Sequence, residues 1–438
     1  MLAAVMRRGL GLLVSLLLAA HSLRTGDFGL TVAWLGMGAL VCTRQAWVRW
    51  VFAVACIWGV WIWATTTLEL IQFRMLMGAP WTRLAFILGS VLAVTGLTGW
   101  LFVQAGAEAS YFRHRARQFP LAGIFLLTVI ILAVARSMAP LPVLLADRFW
   151  PGWGWLEILI LGVYAVWAGS KLLDPALRLK WRPRLWGLFS VVFFGQLLLG
   201  LCGLETFLMT GELHLPVPAL IAAGPVYRGD GVFMPILFTV TVLLVGPAWC
   251  SYLCYIGAWD DGLSRLAGRH PSAPPRWTIW IRLALLGAVV AAAWGLRAFG
   301  VSSALAVGLA LAFGLFGVAI MLGLSRRRGM MVHCTTYCPI GIVSNLFSFF
   351  SPWRLRIGSK CTRCGRCRRV CRYNALQPQD FDRGRPGQAC TLCGDCLATC
   401  PEDQLQFTFL GIFPARAHQL FLVLVAVLHA VFLGVARI

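Results

Sequence analysis

Long apolar runs set the terms for this chain. A helix that crosses a bilayer needs roughly 17–25 mostly apolar residues. Stretches of that kind fall near residues 8–23, 28–43, 46–68, 84–105, 120–139, 154–173, 185–204, 231–248, 279–297, 301–323 and 416–436. The reading is an all-α polytopic membrane protein with about eleven transmembrane helices. Composition agrees. Hydrophobic residues make up 59% and charged residues 12% of the 438, against roughly 45–50% and about 25% in soluble globular chains. The first run follows Arg7 and Arg8 and is short, as in a signal peptide. No small-x-small cleavage site follows it, so it reads as an uncleaved anchor.

The net charge of +22 would suggest nucleic acid in a soluble protein. Here the basic residues sit between the apolar runs, as in loops held on the cytoplasmic face. With the N-terminus inside, 30 of the 38 Lys and Arg residues fall on the inner side. The bias survives when residues 354–416 are left out of the count. It places the segment near 351–412 in the cytoplasm and the C-terminus outside. Lipid is then a partner and nucleic acid is not.

Twelve of the fifteen cysteines lie between Cys250 and Cys400. Such clustering points to metal ligation rather than to a disulfide framework. Two runs read Cys361-x-x-Cys364-x-x-Cys367-x-x-x-Cys371 and Cys390-x-x-Cys393-x-x-Cys396-x-x-x-Cys400-Pro401. This is the bacterial ferredoxin spacing, and two copies imply two [4Fe–4S] clusters. Because the fourth cysteine of each run serves the other cluster in such proteins, one set is Cys361, Cys364, Cys367 and Cys400. The other is Cys390, Cys393, Cys396 and Cys371. A pair of zinc sites is the competing reading, but two identical four-cysteine runs fit ferredoxin better. Arg372 stands where a proline often follows the fourth cysteine. Arg363, Arg366, Arg368 and Arg369 crowd the first run; they raise a cluster's potential, dock an acidic partner, or simply continue the basic inner surface.

A second pattern is duplicated. WCSYLCYIG (249–257) and HCTTYCPIG (333–341) each place a C-x-x-x-C pair after an apolar run, with Ile-Gly two residues later. Cys334 lies 84 residues after Cys250, and the units share one orientation. Parallel repeats of membrane helix pairs build sites at their interface. If the chain stays α-helical there, Cys250 and Cys254 share one face, as do Cys334 and Cys338. Three readings remain: a further metal or cluster site, a thiol–disulfide relay, or plain packing of small buried residues.

CSYLC, CTTYCP and the two ferredoxin runs together resemble the NapH/NosR/CcoG group of polytopic [4Fe–4S] proteins, over roughly residues 185–438. Tyr255 departs from the proline expected after the first pair. The resemblance implies electron transfer between a quinone pool or a cytoplasmic donor and a partner oxidoreductase, expected to be periplasmic, of a respiratory or metal-assembly system. It also implies a bacterial inner membrane as the location. Cofactors implied are two [4Fe–4S] clusters, a further metal or cluster at the C-x-x-x-C pairs, and quinone. Whether the chain is a quinol-linked oxidoreductase subunit stays open. The alternative is a membrane-bound redox maturation or regulatory factor. The expected divisions are 1–180, a helical membrane domain; 181–350, the core with the duplicated unit; 351–412, the ferredoxin segment; and 413–438, the last span.

Other candidates are weaker. His418 and His429 are eleven residues apart on one helix, which puts them on one face; with His21 they raise the question of haem. His333 adjoins Cys334. Glu205, Glu212, His214 and Asp230 fall in the largest outer loop and suit proton transfer.

Overall fold

The computed structural model describes residues 2–104, 113–208, 215–268, 271 and 278–435. Among the described residues, ten helices are long and apolar enough to cross a membrane. The expected span at 28–43 is the difference. The helix Phe28–Cys42 has 15 residues, about 22 Å at 1.5 Å per residue, short of a hydrocarbon core about 30 Å thick. Asp27 caps its start by accepting from the Leu30 amide at 2.9 Å. Arg44, with φ +57°, breaks the chain just after it. Sequence hydropathy sees the apolar run but not these two stops.

Two compact units are present, Met1–Trp167 and Ala168–Ile438. In the first, the helices Leu2–Arg24, Val48–Leu76 and Thr82–Val103 pack through small residues. A Cβ on Gly99 would sit 2.8 Å from that of Cys56, and one on Gly59 2.8 Å from Leu18. Such close approach supplies the van der Waals contact that holds helices together in lipid. His21 packs against Trp63 here, with ring centroids 5.1 Å apart and the planes tilted by 56°.

The second unit carries the cysteines. The helix Pro175–Leu201 runs across the expected division at 180/181 without interruption. The helices Phe233–Val245, Thr278–Ala298, Ser303–Ile320 and Pro414–Val435 complete its long apolar set. Between the last two lies a small domain closed by an antiparallel strand pair, Trp353–Ile357 with Leu405–Phe409, in register from Trp353↔Phe409 to Ile357↔Leu405. Both strands begin with alternation, buried residues flanking exposed ones, so one face turns inward. Trp353 anchors this domain to the bundle. Its indole donates to the Leu244 carbonyl at 2.6 Å and its ring meets Phe421.

Candidate iron–sulfur sites

Three pockets carry cysteine walls. Cys361, Cys364, Cys367 and Cys400 line the first, near the surface of the small domain. Cys371, Cys390, Cys393 and Cys396 line the second, deeper in. Each set draws three sulfurs from one run and the fourth from the other. The two runs also share a backbone shape. Arg363 and Leu392, each just before the second cysteine of its run, have φ +55° and +56°. Gly365 and Gly394, just after it, have φ +73° and +80°. Asn374 and Asp403, three residues after the fourth cysteines, have φ +50° and +48°. Left-handed residues are costly for any side chain but glycine. Repeated at matched positions, they turn successive amides toward the sulfurs, the kind of concavity that holds iron–sulfur groups. The Ala375 amide donates to the Cys371 sulfur at 3.3 Å.

The third pocket is lined by Cys250, Cys254, Cys334 and Cys338. Both C-x-x-x-C pairs leave α-helical geometry, against the face-sharing expected of a continuous helix. Trp249–Leu253 and His333–Tyr337 are π-helical turns. Each is closed by its second cysteine, whose amide bonds five residues back, Cys254 to Trp249 at 2.9 Å and Cys338 to His333 at 2.8 Å. Single π turns mark functional sites in many helices. Cys254 and Cys338 then adopt extended backbone and become N-caps of new helices, Tyr255–Arg265 and Pro339–Phe347. Tyr255 takes the first helical position as readily as Pro339 does, so the missing proline leaves the geometry intact.

The glycines of the repeat follow from the same turn. A Cβ on Gly257 would lie 3.1 Å from the Cys250 carbonyl, and one on Gly341 3.0 Å from that of Cys334. Burial pushes the Cys254 and Cys338 thiols up, partly offset by amides of the helices they cap: Gly257 and Ile256 at one, Gly341 and Ile340 at the other. Helix N-termini favour thiolates. Burial likewise drives Cys334 well up, with the Asp260 carboxylate adding to it. Buried thiols of this kind stay neutral unless a metal replaces the proton.

Among the described residues, no three Cys, His, Asp or Glu side chains converge tightly enough for a single ion. That holds for the eight ferredoxin-run cysteines as well. In each pocket four thiols stand around a space rather than around a point, a donor set that suits a multi-iron group better than mononuclear zinc. Arg282 lines the third pocket and is 6% exposed. Its cation opposes the negative charge four thiolates would carry. Asp260, fully buried, accepts from the Cys334 amide at 2.9 Å; burial pushes its carboxyl up to about 6, against the amide and the Ser325 hydroxyl.

The small domain is fastened to the bundle by buried polar contacts. Arg182, 1% exposed, grips Asp395 with two bonds of 2.7 Å and donates to the Ser251 carbonyl at 3.1 Å. Asp395 belongs to the second ferredoxin run. Arg265 joins from the helix after the first cysteine pair, at 2.7 Å to Asp261 and 2.9 Å to Asp395. Burial pushes Asp261 up, but Arg182 and Arg265 hold it below the usual carboxylate range. The Tyr252 hydroxyl donates to the Cys393 carbonyl at 2.7 Å, and the Ser251 hydroxyl to that of Thr391 at 3.0 Å. Sequence reading singled out none of Arg182, Asp395, Asp261, Arg282 or Tyr373. Charged residues at span ends and inside C-x-x-C runs look like solvated surface when their partners are distant in the chain.

The remaining candidates stay apart. His418 stacks flat on Phe407 at 4.6 Å, and His429 packs against Phe189 at 5.7 Å. His333 lies against the Gly317 backbone and Tyr337. Glu205 opens an exposed 3-10 turn, and Asp230 faces Arg228 at 3.6 Å. Glu212 and His214 lie outside the described residues.

Family comparisons match this part of the chain. A 4Fe-4S binding domain model covers residues 229–274 and 308–358, the two C-x-x-x-C elements with their flanking helices. A 4Fe-4S dicluster domain model covers residues 360–405, both ferredoxin runs. No curated protein and no solved structure matches the chain. The chain carries ferredoxin-type [4Fe–4S] domains and is an iron–sulfur protein.

Proposed function

We propose that the chain is a membrane electron-transfer protein of the NapH/NosR/CcoG kind, linking a quinone pool or cytoplasmic donor to a partner oxidoreductase. The observation that carries this reading is the gathering of twelve cysteines into three four-cysteine pockets within one unit that also carries long apolar helices. Cys361, Cys364, Cys367 and Cys400 would hold one [4Fe–4S] cluster, and Cys371, Cys390, Cys393 and Cys396 a second. Cys250, Cys254, Cys334 and Cys338 would hold a third. Bound clusters supply one-electron transfer without proton or bond changes.

The chain's own residues do the rest. Amides on left-handed turns and helix N-termini stabilise thiolates. Arg282 compensates charge, and Arg182 with Arg265 keeps the small domain from moving. The excess of basic residues in the loops on its side supports a cytoplasmic location for that domain. With Phe28–Cys42 not crossing, the N-terminus changes sides while the later loops, which hold most of the bias, do not. An apolar cavity of about 190 Å³, lined by Ala223, Tyr227, Ala293, Leu309 and Phe313 among others, supports the quinone link. A smaller pocket adjoins it through Phe313 and reaches Cys338.

Redox-titrated EPR of the purified protein, with iron and sulfide counts, tests the reading. Three titrating [4Fe–4S] signals are expected, with reoxidation by a quinone analogue in membranes. Clusters that no quinone analogue reoxidises would overturn the quinone link and leave a sensor or maturation factor. Two clusters only would overturn the third site.

A further inference from the structure

The three pockets are not equally connected. The membrane-edge pocket, with Cys250 and Cys334, and the inner ferredoxin pocket, with Cys371 and Cys390, share two wall residues, Tyr373 and Thr391. The surface pocket shares no wall residue with either of the other two; its tie to the inner pocket is the exchange of Cys371 and Cys400 between the two ferredoxin runs. Tyr373 is 4% exposed and sits in a small core with Trp186, Met331 and Ala375. Packed against that core are Cys334 of one cysteine set and Cys371 and Cys390 of the other. The Tyr373 hydroxyl donates to the Cys250 carbonyl at 2.6 Å. Beside it the chain is tied again: the Met331 amide donates to the Arg372 carbonyl at 3.0 Å. One aromatic side chain therefore lies between two four-cysteine sets and is hydrogen-bonded to the backbone of a cysteine in one of them.

We infer that Tyr373 is a positioning residue that sets the contact between the membrane-edge pocket and the inner ferredoxin pocket. The inner pocket is thereby the ferredoxin pocket that adjoins the C-x-x-x-C quartet, and the order is surface, inner, membrane-edge. The inference rests on the three-cluster reading. It goes beyond it by fixing which pocket adjoins which and by what residue. Three features make the arrangement rigid. The ring is locked by its hydroxyl bond, its surroundings are apolar, and Arg182 with Arg265 clamps Asp395 on the same run as Cys390. A solvated loop at this place would let the spacing drift; a buried ring, hydrogen-bonded and packed beside a tied backbone, does not.

The test uses full-length holoprotein in detergent, with iron and sulfide counts and EPR of the fully reduced state. Wild type should show spin–spin splitting of which a part disappears in Cys250→Ser/Cys334→Ser. Tyr373→Leu should keep the iron content and lose that same part of the splitting. Tyr373→Phe, which keeps the ring, should retain it. A wild type with only two clusters refutes the three-cluster reading itself. A third cluster whose loss leaves the splitting of the other two unchanged refutes the adjacency while the reading stands. Splitting unaltered in Tyr373→Leu refutes the role of Tyr373. If Tyr373→Leu fails to hold iron, Tyr373→Phe and the cysteine variant still decide: splitting lost in Tyr373→Phe counts against the ring as the spacer.

Discussion

Replacing Arg182 by methionine tests how the ferredoxin domain is held. The side chain is 1% exposed and makes two bonds of 2.7 Å to Asp395, a third to the Ser251 carbonyl, and a longer contact of 3.5 Å to Asp261. Removing one partner of a buried ion pair costs about 3–5 kcal/mol, because the other charge is left desolvated. Arg265 remains at 2.9 Å from Asp395, which places the expected loss at the lower end, about 3 kcal/mol. That is roughly a hundredfold in the ratio of docked to undocked domain. Hydrogen exchange of the amides from Thr391 to Leu397 reports it, since exchange follows local opening. Protection should fall by about two orders of magnitude in R182M. Adding Asp395→Leu should restore most of it, because a whole pair replaced by apolar groups is close to neutral. Arg265, 30% exposed, is the outer member, so R265M should lose roughly tenfold or less. Unchanged protection in R182M, or a double variant that loses the sum of both single effects, would refute the reasoning.

Three further outcomes are expected. Cys250→Ser/Cys334→Ser should lower iron and sulfide by about one third while both ferredoxin EPR signals persist; unchanged metal content would remove the third site. Gly257→Ala brings a Cβ within 2.6 Å of the Trp186 ring and 3.1 Å of the Cys250 carbonyl, an overpacking worth about 1–3 kcal/mol. Gly341→Ala meets a carbonyl as closely, that of Cys334 at 3.0 Å, but its other clash is with the end of the Arg282 side chain rather than with a ring, so thermal loss of the clusters, followed optically, should come earlier in G257A than in G341A. Arg366, Arg368 and Arg369 are exposed beside the surface pocket. Reduction by an acidic protein donor should therefore slow with salt, and Arg368→Glu/Arg369→Glu should slow it at low salt while dithionite reduction stays unchanged.

Iron–sulfur chemistry was legible because ligand spacing is local. Cys361 to Cys371 and Cys390 to Cys400 carry their pattern within eleven residues each, and the glycines Gly365 and Gly394 mark left-handed positions a reader can expect. The duplicated C-x-x-x-C element was legible as a repeat. Its geometry was not, because a π turn closing on an extended cysteine leaves no periodic signal in so few residues. The strands Trp353–Ile357 and Leu405–Phe409 had a signal that went unread: WRLRI alternates apolar and charged residues, the period of a half-buried strand. The short helix at Phe28–Cys42 shows the opposite failure, an apolar run cut below spanning length by a cap and a left-handed arginine.

The sequence by itself determined the chemistry and the material: apolar helices, basic loops and twelve thiols in four matched clusters along the chain. Tertiary structure decided which thiols meet. Cys250 and Cys334 face one pocket across three intervening helices, and Arg182 finds Asp395 more than two hundred residues away. Hydropathy and ligand spacing are properties of neighbours in the chain. Pairing of buried charge, the placing of Tyr373 between two cysteine sets, and the tight passage of Gly257 over a carbonyl are properties of neighbours in space, fixed only when the helices pack.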